Sequence, residues 1–239
     1  MSPRSVLITG ANRGIGLGFV NAFLADKAVE HVIAATRHKE AESLSGIADT
    51  RLHIIELDVN CDSSIEKAVK EVTELVGEFG LNLLINNAGI GPGYGTDDTP
   101  NRELLQSVMT TNAVSATIVS QNFLPLLKAA ASHGEGWSIS RAAIVSITTY
   151  SPFTPPGVLA FRASKAALNS ITRTMSVDLE KYGILVAAVS PGWVKTDQGG
   201  EDALLTVEES LSQVVPTIYK LNKEHNGGCF TRTGESFPL

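Results

Sequence analysis

Seven short, almost wholly apolar runs recur along this chain, and longer segments with helical spacing separate them. The runs fall at residues 6–9, 31–35, 53–57, 83–86, 143–148, 185–189 and, more weakly, 229–231. A strand with one wet face alternates apolar and polar residues. A continuous apolar run suits a strand covered on both faces. The helical segments lie at 14–27, 39–47, 63–79, 102–132, 158–182 and 206–224. In the third, Ile65, Ala68, Val69, Val72, Leu75 and Val76 make one apolar face. Repeated strand–helix–strand units demand right-handed crossovers, which lay helices on both faces of a parallel sheet. The pattern therefore predicts an α/β fold: a doubly wound, Rossmann-type parallel sheet of about seven strands. The 239 residues, 43% of them hydrophobic, suit a single domain over 1–239.

Charge and composition exclude several classes. The formal net charge is −6 and no Lys/Arg stripe is present, which argues against nucleic acid and against an anionic membrane surface. No apolar stretch is long enough to span a bilayer, and residues 1–5 offer no secretory leader. A cytoplasmic protein is expected by elimination. Two distant cysteines, Cys61 and Cys229, do not read as a disulfide framework. None of the five histidines pairs with Cys or acidic residues at metal-ligand spacing, so no metal is expected. There is no G-x-S-x-G elbow, and the glycine loop lacks a G-K-[ST] ending.

That loop carries the first chemistry. The first apolar run leads into Thr9-Gly10-Ala11-Asn12-Arg13-Gly14-Ile15-Gly16 and then a helix. Gly10 permits a tight turn, while Gly14 and Gly16 let backbone approach a pyrophosphate and let the helix pack on the strand. The helix start would present free N–H groups and a positive dipole end to that phosphate. Where NAD enzymes place a carboxylate to accept from the ribose 2′-OH, this chain has Thr36-Arg37. Arg37 and Arg13 are suited to a 2′-phosphate, which predicts NADP(H).

The G-x-x-x-G-x-G spacing resembles the short-chain dehydrogenase/reductase family. Asp58-Val59, Asn86-Asn87-Ala88-Gly89, Asn112 and Pro191-Gly192-Trp193-Val194-Lys195-Thr196 match further family motifs in order, over nearly the whole chain. A-N-R-G-I-G-L-G, S-K-A-A-L-N and P-G-W-V look most like its sniffer and C-factor-like carbonyl reductase subgroup. The resemblance implies a cofactor held by Gly10, Asn12, Arg13, Gly14, Ile15, Gly16, Arg37, Asp58, Val59, Asn87, Ala88, Gly89, Lys165, Pro191, Gly192, Val194 and Thr196. It implies hydride transfer to a carbonyl compound, with catalytic positions at Asn112, Thr149, Phe161 and Lys165.

Two of those positions are altered. The family's Y-x-x-x-K reads Phe161-Arg162-Ala163-Ser164-Lys165, so lysine is present and the proton-giving tyrosine is not. The family's serine position reads Thr148-Thr149. Motif position favours Thr149, and spacing to 161 leaves Thr148 open. Tyr150 is a neighbouring source of a phenol. The expected function is an NADPH-dependent reductase of aldehydes, ketones or quinones, weakened by Phe161. The alternative is an NADP(H)-binding pseudoenzyme that acts as a sensor or through a partner. Loops 91–100 and 149–157, a Gly199-Gly200 flap with Leu204, Leu205 and Val207, and Phe153, Phe161 and Trp193 would wall an apolar substrate site. Small residues at 163, 166, 167 and 170 suit either packing within the chain or a homodimer face.

Overall fold

A computed structural model describes residues 1–150 and 156–238. Phe153, expected in the substrate wall, lies outside the described residues. The strands are β1 (Ser5–Thr9), β2 (His31–Thr36), β3 (Leu52–Glu56), β4 (Leu83–Asn86), β5 (Ala143–Ile147), β6 (Leu185–Val189) and β7 (Cys229–Phe230). They form one sheet in the order β3-β2-β1-β4-β5-β6-β7, with every pairing between them parallel. The helices are α1 (Gly14–Ala25), α2 (Glu42–Ser45), α3 (Asp62–Val76), α4 (Arg102–Met109), α5 (Ser115–Ser132), α6 (Leu159–Asp178) and α7 (Val207–Lys220).

Strand alternation divides the core between two layers. Val6 and Ile8 of β1 turn to one side, with Phe19 and Phe23 of α1 and Val214 of α7. Leu7 turns to the other, with Ile65 and Val72 of α3 and Phe123 of α5. Burial on both faces is why these strands are apolar throughout. Chain order reverses between β1 and β4, so the loops after those strands diverge and open a crevice at the carboxyl edge of the sheet.

Five expected segments come out differently. Segment 39–47 contracts to the single turn α2. Segments 63–79, 158–182 and 206–224 end in separate 3₁₀ turns at Gly77–Phe79, Glu180–Tyr182 and Lys223–His225. Segment 102–132 is broken by a π-turn at Thr110–Val114. A one-residue insertion barely disturbs apolar spacing, so periodicity alone reads through it.

At the amino edge of the sheet His31 Nδ1 lies 3.1 Å from His53 Nε2. Both rings are partly buried, and desolvation lowers both pKa values. Arg4 lowers that of His31 further against a raising influence from Glu30, and His31 lowers that of His53. A folded pKa below the unfolded value of about 6.5 means that the unfolded chain binds protons first. This contribution to stability is therefore present above pH ~6.5 and falls as pH drops through and below it. Urea midpoints measured between pH 7.5 and about 5, above the range where carboxylates titrate, should fall with pH. His53→Gln should flatten that slope, and an unchanged slope would remove the pair as its cause.

Candidate functional site

The crevice is a cavity of about 1640 Å³ running from the glycine loop past Lys165 to the turn after β7. Each residue expected to hold the cofactor lines it, and so do Thr148, Thr149, Tyr150 and Phe161. Asn112 does not. Its part is indirect, as described below.

The glycine loop is built from contacts rather than composition. Gly10 has φ +66 and Gly14 φ +51, backbone that a side chain would strain. A Cβ on Gly16 would sit 2.1 Å from the Gly10 carbonyl oxygen, so α1 approaches the β1 turn as only glycine allows. Asn87 locks that turn: its Nδ2 donates to Thr9 O (2.8 Å) and Gly10 O (3.2 Å). The Thr9 hydroxyl accepts from the backbone of Asn87 and Ala88, both at 3.0 Å. Thr9 carries no motif label, and only its place directly before the first glycine marks it in the sequence. No side chain caps α1, so its first N–H groups remain for a ligand in the cavity.

Two arginines, Arg13 and Arg37, stand on the cavity wall. Arg37 is exposed at the end of β2, on the cavity wall. Arg13 pairs with Asp197, both largely exposed, a contact that contributes little to stability and leaves the guanidinium available to a stronger anion. Asp58 and Val59 follow β3 on the same wall. Beside them Asn60 donates to Thr111 Oγ1 (3.0 Å) and accepts from Ser115 Oγ (2.7 Å).

The π-turn positions Asn112. Its Oδ1 accepts from Ile90 N (2.8 Å), and its Nδ2 donates to Ile90 O (2.8 Å) and Ser164 Oγ (2.9 Å). Ser164 Oγ donates in turn to Phe161 O (2.7 Å). Asn112 thus ties the strand-end loop at Ile90 to the first turns of α6, a task invisible in its motif. Ser164 was not expected at the site at all.

Phe161 and Lys165 lie one turn apart on α6, and the Lys165 ammonium is 5.8 Å from the Phe161 ring centroid. Lys165 donates to Ile147 O (2.7 Å), and burial brings its pKa down to about 8. A lysine has three N–H donors, so two remain for hydroxyls in the cavity. The two threonines differ. Thr148 is buried and its hydroxyl donates to Asn169 Oδ1 (2.6 Å), so its proton is committed. Thr149 is half-buried on the cavity wall. Tyr150 stacks on Phe237 with centroids 4.6 Å apart, which occupies one face of its ring.

Beyond Thr196 the expected flap is tied down. Lys195 N donates to Leu205 O (2.8 Å), Leu205 N to Trp193 O (3.1 Å), and Trp193 Nε1 to Gly199 O (2.8 Å). A Cβ on Gly199 would overlap the Val194 carbonyl, so glycine is needed there for close approach. Ile90, Tyr150, Trp193 and Leu204 expose apolar surface to the cavity. Among the described residues no cluster of His, Cys, Asp or Glu could hold a metal ion. None of the described helices is long and apolar enough to cross a membrane.

The family described as short chain dehydrogenase matches residues 4–203. Among solved structures, the Sniffer protein of Caenorhabditis elegans superposes with TM-score 0.91 at 42% identity, covering 100% of both chains. The NADPH-bound carbonyl reductase from chicken fatty liver superposes with TM-score 0.94 at 38% identity, covering 100% of this chain and 95% of that one. The short-chain dehydrogenase anuI of Penicillium roqueforti is 32% identical over 227 residues, 88% of this chain and 86% of the relative. The glycine cradle, the buried lysine and these likenesses agree: the chain belongs to the short-chain dehydrogenase family of oxidoreductases.

Proposed function

We propose that this chain binds NADP(H) and reduces carbonyl compounds (aldehydes, ketones or quinones) slowly, because Phe161 stands where a proton donor is needed. A bound NADPH would supply a hydride to the carbonyl carbon. Lys165, held by Ile147 O, would take ribose hydroxyls with its remaining N–H groups. The uncapped start of α1 and the loop 10–16 would take the pyrophosphate, with Asp58 and Val59 at the adenine. Ala88, Gly89 and the segment from Pro191 to Thr196 would line the remaining length of the cofactor. Thr149 is the hydroxyl proposed to donate to the carbonyl oxygen, since Thr148 already donates to Asn169. Exposed Ile90, Trp193 and Leu204 suit a substrate with a ring or alkyl body.

The observation that carries the reading is Phe161 on the wall of the cavity beside a retained, buried Lys165. The same observation favours a second reading, in which cofactor binding survives and turnover does not. NADPH oxidation with a panel of aldehydes, ketones and quinones, on this chain and on Phe161→Tyr, separates the two. Turnover by both supports the reductase; turnover by the tyrosine variant alone supports the binding protein.

Cofactor choice is tested independently. Charge-assisted bonds from Arg37 and Arg13 to a 2′-phosphate should favour NADPH over NADH by about 10–100-fold. Arg37→Gln should bring the two affinities close together. Equal binding by the unaltered chain would overturn the NADP assignment. A cytoplasmic homodimer completes the proposal: Ala163, Ala166 and Ser170 of α6 are exposed, so a second copy could approach there closely.

A further inference from the structure

One charged side chain on the cavity wall, Arg232, carries a buried donor that finds no acceptor among the described residues. Arg232 stands in the tight turn after β7, where Phe230 bridges antiparallel to Ser236. The turn is rigidly held. Thr231 N donates to Glu235 O (2.8 Å), Phe237 N to Cys229 O (2.9 Å), and Thr217 Oγ1 of α7 to Arg232 O (2.7 Å). The guanidinium reaches toward Gly192, with Nη1 3.4 Å from where a Cβ on that glycine would lie. Its Nε is buried and has no hydrogen-bond partner among the described residues. Arg232 is in no salt bridge among the described residues. Glu235 lines the same cavity but is exposed and unpaired with it.

A buried guanidinium donor without an acceptor destabilises the fold, and such groups call for an explanation. The cavity supplies one, since an anion entering beside Gly192 would meet the guanidinium. The other cations on the cavity wall differ in kind: Arg37 and Lys195 are exposed, Arg13 pairs with Asp197, Lys165 donates to Ile147 O, and among the described residues the partly buried Arg162 has no buried donor left without an acceptor. A single planar fork matches one planar carboxylate, which it grips with two parallel bonds.

We propose that Arg232 is a specificity-determining residue that binds a carboxylate on the substrate, so that the preferred carbonyl compound joins an apolar body to an acid group. Calling that ligand a substrate rests on the reductase reading above; the carboxylate site itself does not.

The test is calorimetric titration of the full chain, Arg232→Gln and Arg232→Lys with 4-formylbenzoate and with its methyl ester. Each titration is run with and without NADPH, and NADPH is titrated separately. The unaltered chain should bind the acid about tenfold or more tighter than the ester. Arg232→Gln should lose that preference, Arg232→Lys should keep part of it, and all three should bind NADPH alike. Arg232→Gln removes an unpartnered donor, so its melting temperature should equal or exceed that of the unaltered chain. Should it not fold, Arg232→Lys still reads the site, because a point charge in place of the fork must narrow the preference. Equal binding of acid and ester by the unaltered chain, or a preference that survives Arg232→Gln, overturns the proposal. A loss of NADPH affinity in Arg232→Gln overturns it too, by assigning Arg232 to the cofactor. If NADPH binds none of the proteins, the proposed function fails while the acid–ester comparison still decides the role of Arg232.

Discussion

Phe161→Tyr should raise the rate of NADPH-dependent carbonyl reduction by about 10²–10⁴-fold, the usual contribution of a positioned general acid. The site is prepared for that hydroxyl. Residue 161 lines the cavity and is only partly buried, so an added oxygen has open space beside it. The Lys165 ammonium lies 5.8 Å from the ring centroid and would draw the phenol pKa down from about 10. The backbone beneath is already anchored, since Phe161 O accepts from Ser164 Oγ, which Asn112 holds in turn. Phenylalanine and tyrosine occupy nearly the same volume, so cofactor affinity and melting temperature should not change. The check is kcat with one reactive aldehyde at several pH values, with NADPH affinity measured alongside. A rate equal to that of the unaltered chain would mean that another group gives the proton, with Thr149, Tyr150 or water as the remaining sources.

Gly16→Ala should abolish useful cofactor binding, with an affinity loss of about 100-fold, or ~2.7 kcal/mol. The reason is steric and local. The new Cβ would stand 2.1 Å from Gly10 O and 2.7 Å from Asn87 Nδ2, two groups already bonded to each other. Relief requires α1 to move away from the β1 turn, and that movement displaces the free N–H groups at its start. Overpacking of this kind costs about 1–3 kcal/mol of stability, or roughly 2–4 °C per kcal/mol in a chain of this size. Gly46→Ala is the matched control: nothing lies within 4 Å of its Cβ position, and its φ of −80 is ordinary. Fluorescence titration with NADPH and thermal melts on both variants decide the matter. If Gly16→Ala bound NADPH as tightly as the unaltered chain, the glycine loop would not be the pyrophosphate site.

Much of this protein was determined by residue order alone. The seven apolar runs became seven parallel strands, because a strand buried on both faces has no polar position to interrupt it. The glycine loop was legible because it stands between an apolar run and a helix, where close approach excludes side chains. That residue 161, four places before Lys165, is a phenylalanine was equally plain, since an absent hydroxyl needs no structure to be noticed. Tertiary structure decided the rest, because each remaining question turned on contacts between residues far apart in the chain. Asn112 became a clamp on Ile90 only when a π-turn placed it there, and apolar spacing could not reveal that turn. The proposal of Thr149 over Thr148 rests on Asn169, 21 residues beyond Thr148, which takes the Thr148 proton. Arg232 stands in no motif, and only the docking of β7 beside β6 brings it to the cavity next to Gly192 with an Nε that has no partner among the described residues.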